Sequence, residues 1–455
     1  MLITNANVIT WGDRNEILQG QALHLSGGLV AALGPSADLE AQHHNEPRVD
    51  ARGQYVMPGN ICAHGHFYSA LAVGMSVPYD PPISLPTILE RLWWPYDRAL
   101  REEEVRLAAE VGMVDCIKNG TTTYFDHHSS PNCVDGVLDV IADVVDRAGL
   151  RSVLCFEVTD RNGDTRARAG IAENARFVAR CHSEMVAEGR VAANFGIHAP
   201  MTVSDDTLAE CRESVSDDTG FHLHVGEHEY DQIRSTALSG KRSVDRLHQH
   251  GMLGEKSIMA HAIHLDAKEV LLLAETGTAS SHQARNNMNV GDGIAAIESQ
   301  LRAGVRVCLG NDGLSPTMWR EAEVAYFLQK IAHRDGRRFP GDQLLEVAFR
   351  NNAALASLYY PQAPLGVIER GAVADLIMVD YQPATPMTPE NIAGHLVFAM
   401  NESMITTTIV NGEVLMQDRQ LLTVDESEIK ARCREAAPAF WARYEDAVPD
   451  GPILG

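Results

Sequence analysis

The stretch "MPGNICAHGHFYSALAVG", Met57 to Gly74, decides the fold. It sets two histidines, His64 and His66, two residues apart at the end of a short apolar run that is typical of a buried strand. Because side chains alternate along a strand, both imidazoles point to the same side of the sheet. They are either hydrogen-bonded structural histidines or two ligands of a metal ion, and the rest of the chain distinguishes these interpretations.

The composition indicates a large globular protein. The chain has 455 residues, of which 45% are hydrophobic, enough for one large α/β barrel with a small additional domain. Its formal net charge of −23 would repel phosphate, so we expect no binding to nucleic acid or to an anionic membrane. We find no GxGxxG after a strand and no GxxxxGK[ST], so a nucleotide-binding loop has no support.

The cysteines and the N-terminus lead us to expect a cytoplasmic protein. The eight cysteines are scattered without a CxxC pair, a pattern that favours reduced thiols over disulfides or a thiolate zinc site. The N-terminal "MLITNANVIT" lacks the basic and long apolar regions of a signal peptide. No apolar run approaches the roughly 18 residues of a membrane helix.

The two ends of the chain have a similar β-rich pattern. "LITNANVIT" near the start and "TTIVNGEVLMQD" near the end are short strand-like segments, and the Asn-Gly pair in the second is a hairpin signal. We therefore predict a small β-sandwich domain built from residues 1–57 and 366–425. It would accompany a barrel of residues 58–365 and a helical C-terminal tail at 426–455.

The middle of the chain alternates between strand-like and helical segments. Eight strand-like segments, from "ICAHGH" to "VRVCLGND", are separated by helical patterns, which predicts a parallel sheet with right-handed crossovers. One helix is predicted to begin after a capping Ser204, and another to cover residues 231–250. Eight such units match a closed (β/α)₈ TIM barrel better than an open sheet.

Polar side chains cluster at the C-terminal ends of the predicted strands, where the active site of such a barrel forms. They are His64 and His66 on strand one, His222, His224 and Glu227 on or after strand five, His261 on strand six and Asp312 on strand eight. Singly, each has a structural explanation: Asp312 could shape a turn, and Glu227 could be a solvated loop acid. Together they favour a shell of imidazoles and a carboxylate, typical of catalytic zinc or iron.

Four motifs carry a resemblance to a known family. They are "PGxxxxHxH" (Pro58–His66), "HxxE" (His224–Glu227), His261 in "MAHAIHL" and "LGNDG" (Leu309–Gly313). In this order they resemble the amidohydrolase superfamily, in the mononuclear aminohydrolase branch that contains guanine deaminases, cytosine deaminases and triazine hydrolases. Within that branch the chain most resembles the aminohydrolases called SsnA, through "HFYSAL" and "RLWWPYDRAL".

The resemblance implies a metal site and roles for the residues around it. One divalent ion, Zn²⁺ or Fe²⁺, would be held by His64, His66, His224 and Asp312. Glu227 would be the proton shuttle, His261 a hydrogen-bond partner of the water and the developing intermediate, and Asp312 a base as well as a ligand. Gly226 and Asn311 depart from the alanine and threonine that are commoner there. The fourth strand, "RVAANFGIHAP", lacks the lysine that bridges two metals in binuclear relatives, which favours one ion.

The implied reaction is hydrolytic deamination of a cyclic amidine or aminated N-heterocycle of the purine, pterin, pyrimidine or triazine type. Hydroxide that the ion makes available would attack the ring carbon, and ammonia would leave. The alternatives are a different leaving group, such as chloride or an alkylamine, ring opening of a cyclic amide, and a non-catalytic barrel protein. The presence of all the implied ligands and proton-transfer residues disfavours the last.

The loops after the strands are expected to contact a small heterocyclic substrate. The candidates are Tyr68, Trp93, Trp94, His127, His198, Arg285 and Asn287. The aromatic residues could stack on a flat ring, and Arg285 could bind a ring oxygen or a carboxylate. Alternatively, the segment "RLWWPYDRAL" packs a helix against the barrel. We expect a homo-oligomer, a dimer or larger.

Overall fold

A computed structural model of the chain describes residues 1–12, 15–78 and 84–449. The strands are β1 (Leu2–Ile9), β2 (Ile17–Ser26), β3 (Leu29–Pro35), β4 (Arg48–Asp50), β5 (Tyr55–Pro58), β6 (Asn60–Gly65), β7 (Thr121–His128), β8 (Arg151–Phe156), β9 (Val191–Ala193), β10 (Phe195–Gly196), β11 (Phe221–Val225), β12 (Ile258–His261), β13 (Ala279–His282), β14 (Val307–Leu309), β15 (Leu376–Val379), β16 (Ile405–Val410), β17 (Glu413–Gln417) and β18 (Gln420–Leu421).

The helices lie mainly between the strands of the middle region. They are α1 (Ser36–Gln42), α2 (Leu85–Ile88), α3 (Trp94–Ala99), α4 (Glu102–Lys118), α5 (Val137–Ala148), α6 (Asp164–Ser183), α7 (Asp205–Glu213), α8 (Glu229–Ser239), α9 (Ser243–Gln249), α10 (Ala267–Thr276), α11 (Ala284–Val290), α12 (Ile297–Ala303), α13 (Met318–His333), α14 (Gly341–Leu345), α15 (Asn351–Tyr359), α16 (Ile392–Phe398) and α17 (Glu426–Ala447). Among the described residues, no helix has both the length and the apolar character needed to cross a lipid bilayer.

Eight parallel strands form the barrel. β6 to β9 make one parallel sheet, and β10 to β14 make a second. β9 and β10 are two halves of one strand, because β9 pairs with β8 and β10 pairs with β11. Parallel bridges between Val158 and Ile197 and between Gly65 and Asp312 join the two sheets at both seams. The ring of strands is that of a (β/α)₈ barrel, as predicted from the sequence.

One predicted helix needs correction. Ser204 caps α7 as expected, since its hydroxyl accepts a hydrogen bond from the amide of Thr207 (3.1 Å). The single helix predicted over 231–250 is wrong, because the chain forms α8 and α9 there. Gly240 adopts a φ of 73° and ends α8. A left-handed glycine is among the commonest ways to end a helix, and hydrophobic periodicity alone did not reveal it.

The two ends of the chain form one sheet of nine strands. Its order is β18-β17-β16-β15-β5-β1-β2-β3, with β4 paired to β1. Beyond β3 the sheet closes on itself: the amide of Val30 donates to the carbonyl of Ala372 and that of Ala374 to Gly28, both at 2.8 Å. The sheet encloses a hydrophobic cluster of its own, which includes Ile3, Leu23 and Leu376. β5 pairs with β1 and β15, and the chain then enters β6 directly, so this sheet anchors the strand that carries His64.

The C-terminal helix α17 packs across the outside of the barrel. Phe440 makes an edge contact with Tyr96 of α3 (centroids 4.9 Å apart). The indole N–H of Trp441 donates to the carbonyl of Leu71 (3.1 Å), and the hydroxyl of Tyr444 donates to that of Arg91 (2.9 Å). Residues 450–455 of the predicted tail lie outside the described part of the chain. The domain boundaries at 57/58, 365/366 and 425/426 stay predictions.

A buried amide in α15 joins the first and last barrel strands. The side chain of Asn352 accepts a hydrogen bond from the amide of Leu309 (2.9 Å) and donates to the carbonyls of Ile61 (2.5 Å) and Leu309 (2.9 Å). Asn352 is fully buried. These three bonds fasten β6 to β14 beside the seam at which the barrel closes.

We expect Asn352→Ala to lower the free energy of unfolding by about 2–4 kcal/mol, because each buried polar group left without a partner costs about 1–3 kcal/mol. The measurement is urea denaturation. Asn351→Ala is the matched control: this neighbouring amide is partly exposed and makes one bond, to the carbonyl of Val307 (2.9 Å). Its loss should be about 1 kcal/mol or less. Equal losses in the two variants would contradict the role given to Asn352.

Candidate metal centre and active site

The predicted site residues meet at the C-terminal end of the barrel. His64 lies in β6 and His66 just after it, His224 lies in β11, His261 ends β12, and Asp312 lies just after β14. All five are buried. Their side-chain ligand atoms form two overlapping clusters that could hold a metal ion, His64–His66–His127–His224 and His64–His224–His261–Asp312.

Hydrogen bonds at the outer ring nitrogens orient the imidazoles of His66 and His224. Nδ1 of His66 donates to the carbonyl oxygen of His127 (2.5 Å), and Nδ1 of His224 donates to that of His198 (2.9 Å). A carbonyl oxygen only accepts, so Nδ1 carries the proton in both rings. The lone pair of each neutral ring therefore lies on Nε2, which faces the centre. Such partners at the outer nitrogen are usual for histidines that bind metals.

His64 is oriented by another histidine. Its Nδ1 lies 2.8 Å from Nε2 of His222, and both rings are fully buried. With the shared proton on His64, the lone pair of its Nε2 faces the same centre, where this nitrogen has no hydrogen-bond partner among the described residues. Burial outweighs the nearby Asp312 and keeps the pKa of His64 well below its usual value. The ring is therefore neutral, which is the form that binds metals.

The inner atoms of these residues are acceptors that lie close together. Nε2 of His66 is 3.2 Å from Nε2 of His224 and 2.8 Å from Oδ1 of Asp312, and Nε2 of His64 is 3.5 Å from that oxygen. Ligands of a tetrahedral zinc would lie about 3.2–3.6 Å apart. Against burial, which lowers it, Asp312 raises the pKa of His66 to about 9, so the imidazole and the carboxylate attract a cation between them. The donor set fits a divalent metal ion.

Asp312 is held in an unusual backbone conformation. Its φ is 56°, in the left-handed region, which costs a non-glycine residue about 1–3 kcal/mol. The amides of Asn311 and Asp312 both donate to the carbonyl of His64 (2.9 and 3.1 Å), and the side chain of Asn286 donates to Oδ2 of the carboxylate. Burial disfavours the charge, but the neighbouring imidazoles of His64 and His66 hold the pKa of Asp312 well below its usual value. The carboxylate is therefore ionised.

Glu227 and His261 lie beside this centre. Nε2 of His261 is 3.6 Å from both Oε1 of Glu227 and Oδ2 of Asp312. Burial, and then the charges of Asp292 and Asp312, raise the pKa of Glu227 well above its usual value. A protonated Glu227 near an ionised Asp312 provides an acid and a base in one site. Nδ1 of His261 makes a hydrogen bond to Oδ1 of Asn287 (2.8 Å), which fixes the ring.

A cavity opens beside the centre, and aromatic side chains form part of its wall. Among the predicted substrate contacts, Tyr68, Trp93, Trp94 and His198 line it, together with Glu227 and Asp312. The rings of Tyr68 and Trp93 meet edge to face, with centroids 6.4 Å apart. The π-helical turn Leu89–Trp93 between α2 and α3 carries Trp93, and such turns are frequent at functional sites. This wall can accommodate a flat heterocycle.

Arg285 lies away from the cavity, contrary to the sequence-based expectation. Its Nε donates to the buried carboxylate of Glu321 (2.5 Å), and its Nη atoms donate to the hydroxyl of Thr317 and the carbonyl of Ser315, both at 2.7 Å. The guanidinium of Arg285 is therefore bound by the carboxylate of Glu321 on α13. The structure brings Arg285 to the base of α13 and not to a substrate.

Two further predicted contacts support the site from outside the cavity. Asn287 holds His261 through the bond already described. His127 lies behind the predicted metal ligands, where its Nε2 donates to the carbonyl of His222 (3.0 Å). Neither lines the cavity in the described structure. Both are placed to orient histidines of the centre.

Sequence reasoning missed Glu157 and Asn286, which both line the cavity. Glu157 follows β8 and is 2% exposed. The rule that identified Asp312, a polar residue just beyond a barrel strand, applies equally to Glu157 in "RSVLCFEV". Asn286 lies in the middle of a short helix, and no sequence pattern singles it out.

The comparisons with known proteins agree with this architecture. The model of the amidohydrolase family matches residues 55–415. The 5-methylthioadenosine/S-adenosylhomocysteine deaminase of Haloarcula marismortui is 32% identical, over 95% of this chain and 96% of that protein. The 5′-deoxyadenosine deaminase of Methanosarcina barkeri is 29% identical, over 97% and 99%.

A solved structure extends the likeness to the fold. The adenosine deaminase of Xanthomonas campestris, crystallised with bound zinc, superposes with a TM-score of 0.84 at 24% identity and covers 97% of this chain and 98% of its own. The matched family model covers the barrel and the strands that flank it. The chain belongs to the amidohydrolase family.

Proposed function

We propose that this protein is a metal-dependent hydrolase that deaminates an aminated N-heterocycle and releases ammonia. One observation carries the proposal: Nε2 of His66 lies 3.2 Å from Nε2 of His224 and 2.8 Å from Oδ1 of Asp312, and Glu227, a carboxyl group that can hold a proton, lies beside them. This arrangement supports acid–base hydrolysis at a single centre. The family and the full-length likeness to deaminases support the same reaction.

The ion is proposed to be zinc, held by His64, His66, His224 and Asp312. Neutral imidazoles with one carboxylate suit catalytic zinc, and iron(II) is the alternative. When bound, the ion lowers the pKa of a water to about 7 and so supplies hydroxide near neutral pH.

The chain's own acids move the protons. Asp312 is ionised and accepts a proton from the attacking water, and it later gives a proton to the departing amine. Glu227 is protonated and gives its proton to the ring nitrogen, which takes the π electron pair of the C=N bond as the water oxygen adds to the carbon. When ammonia leaves, the new hydroxyl returns its proton to Glu227 and becomes the carbonyl of the product. His261 lies 3.6 Å from both carboxyl groups, and because its Nδ1 already donates to Asn287, it stabilises the tetrahedral carbon's oxygen by hydrogen bonding once Nε2 also carries a proton.

Adenine nucleosides modified at the 5′ position are the first substrates to test. The two relatives carry names of enzymes that deaminate 5-methylthioadenosine, S-adenosylhomocysteine or 5′-deoxyadenosine, and each aligns along nearly its whole length. Purine, pterin, pyrimidine and triazine amines are the wider panel. A different leaving group or ring opening would use the same residues, and ammonia release distinguishes deamination from both.

The cytoplasm is the proposed location, and a homo-oligomer is the proposed assembly. The eight cysteines are all free thiols, which suits a reducing compartment. Light scattering of the purified protein would determine the assembly.

We expect His224→Ala to lose its stoichiometric metal, because removing one imidazole leaves an incomplete shell. Elemental analysis after purification with excess Zn²⁺ measures the metal content. The matched control is His248→Ala, at an exposed histidine of α9, which should keep one ion per chain. Full metal content in His224→Ala would contradict the proposed ligand set.

Glu227→Gln should lower turnover by about 10²–10⁴-fold while the metal stays bound, since the amide keeps the shape and loses the transferable proton. Ammonia release by the zinc-loaded variant gives the rate. Glu229→Gln, an exposed glutamate in the first turn of α8, should behave as the wild type. If Glu227→Gln retained most of its turnover, another group would have to be the proton shuttle.

A further inference from the structure

Glu157 is a buried acid that the reaction does not use. It follows β8, is 2% exposed and lines the cavity with Tyr68, Trp94 and His198. Glu227 follows β11, so in the ring of strands the fourth strand, β9 and β10, lies between the two acids. The cavity therefore has one acid for proton transfer and a second acid on another part of its wall.

Oε1 of Glu157 receives no hydrogen bond from the described residues around it. Oε1 lies 3.2 Å from Nδ1 of His127 and 3.6 Å from Nδ1 of His66. The proton on His66 Nδ1 is directed to the carbonyl of His127. His127 directs the proton on Nε2 to the carbonyl of His222, which leaves a lone pair on Nδ1 when the ring is neutral.

No other donor within the described ranges compensates for this arrangement. In residues 1–12, 15–78 and 84–449, Oε1 of Glu157 is buried without a hydrogen-bond partner. Arg161, an arginine of this rim, is bound to Asp97. A buried carboxylate without donors is costly, and a donor supplied by a cavity occupant would remove that cost.

We propose that Glu157 is a specificity-determining residue that accepts a hydrogen bond from the substrate. The inference rests on the proposed function and adds a chemical requirement to it. The substrate must carry a hydrogen-bond donor apart from the amine that leaves. Two sources share this chemistry: an amine or ring N–H elsewhere on the heterocycle, and a hydroxyl of an attached sugar.

The test compares wild type and Glu157→Gln on substrates that differ by one donor. The base arm pairs 2,6-diaminopurine with adenine, and the sugar arm pairs adenosine with 2′-deoxyadenosine and 3′-deoxyadenosine. In the wild type, the member with the donor should have a kcat/KM about 10- to 100-fold higher, as expected for a hydrogen bond to a buried charge. In Glu157→Gln, whose amide oxygen is a weaker, uncharged acceptor, this ratio should fall about 10-fold in a single arm, which identifies the source of the donor.

Two measurements separate recognition from a structural role. Zinc content should equal that of the wild type, and Glu184→Gln, an exposed glutamate just after α6, should keep the wild-type ratios. Loss of zinc in Glu157→Gln would overturn the proposal, since the residue would then serve mainly to hold His66. Unchanged ratios in both arms would also overturn it.

Failure of the proposed function would give a different result. In that case the zinc-loaded wild type releases no ammonia from any compound. The affinities of the same compounds, measured by tryptophan fluorescence in a Glu227→Gln background with and without Glu157→Gln, then test Glu157 alone. A donor-dependent affinity that weakens with Glu157→Gln supports the recognition role, and an affinity that does not change contradicts it.

Discussion

Three acceptor atoms that face one another without a donor are the constraint on which the site depends. Nε2 of His66, Nε2 of His224 and Oδ1 of Asp312 would repel each other unless a cation lay among them. They stay in place because Nδ1 of each histidine is bonded to a backbone carbonyl, so the barrel wall orients the rings. The stability of this region is therefore linked to cation binding, whether the cation is a metal ion or a proton.

The same seam closes the barrel and builds the site. The carbonyl of His64 accepts hydrogen bonds from the amides of Asn311 and Asp312. Closure of the ring of strands therefore places the carboxylate of Asp312 opposite the histidines. Two glycines allow this close approach. A Cβ at Gly65 would lie 2.0 Å from the hydroxyl of Tyr124, and one at Gly310 would lie 2.5 Å from the carbonyl of His64. Gly65, between His64 and His66, is thus required by packing against Tyr124 of β7.

The sequence predicted the parts of the site that follow from regular structure. A period of two places His64 and His66 on one side, and strand ends place His224 and Asp312 at the same rim. Contacts between distant segments were beyond this reasoning. The sequence suggested that Arg285 could bind the substrate, but Glu321 on α13 binds its guanidinium. Likewise, Gly240 divides a helix whose hydrophobic pattern continues on both sides.

The charges that remain around the cavity restrict what can enter it. No lysine or arginine is among the described residues that line it, whereas Asp97, Glu157, Glu227 and Asp312 are. Asp97 is neutralised by Arg161, and Asp312 belongs to the proposed shell. Glu227 holds a proton, so Glu157 is left as the buried charge, and a phosphate or carboxylate group placed against it would find no lysine or arginine among the described lining residues. Because an acidic, enclosed wall raises the cost of binding an anion, the cavity favours neutral heterocycles that carry hydrogen-bond donors over their phosphorylated forms.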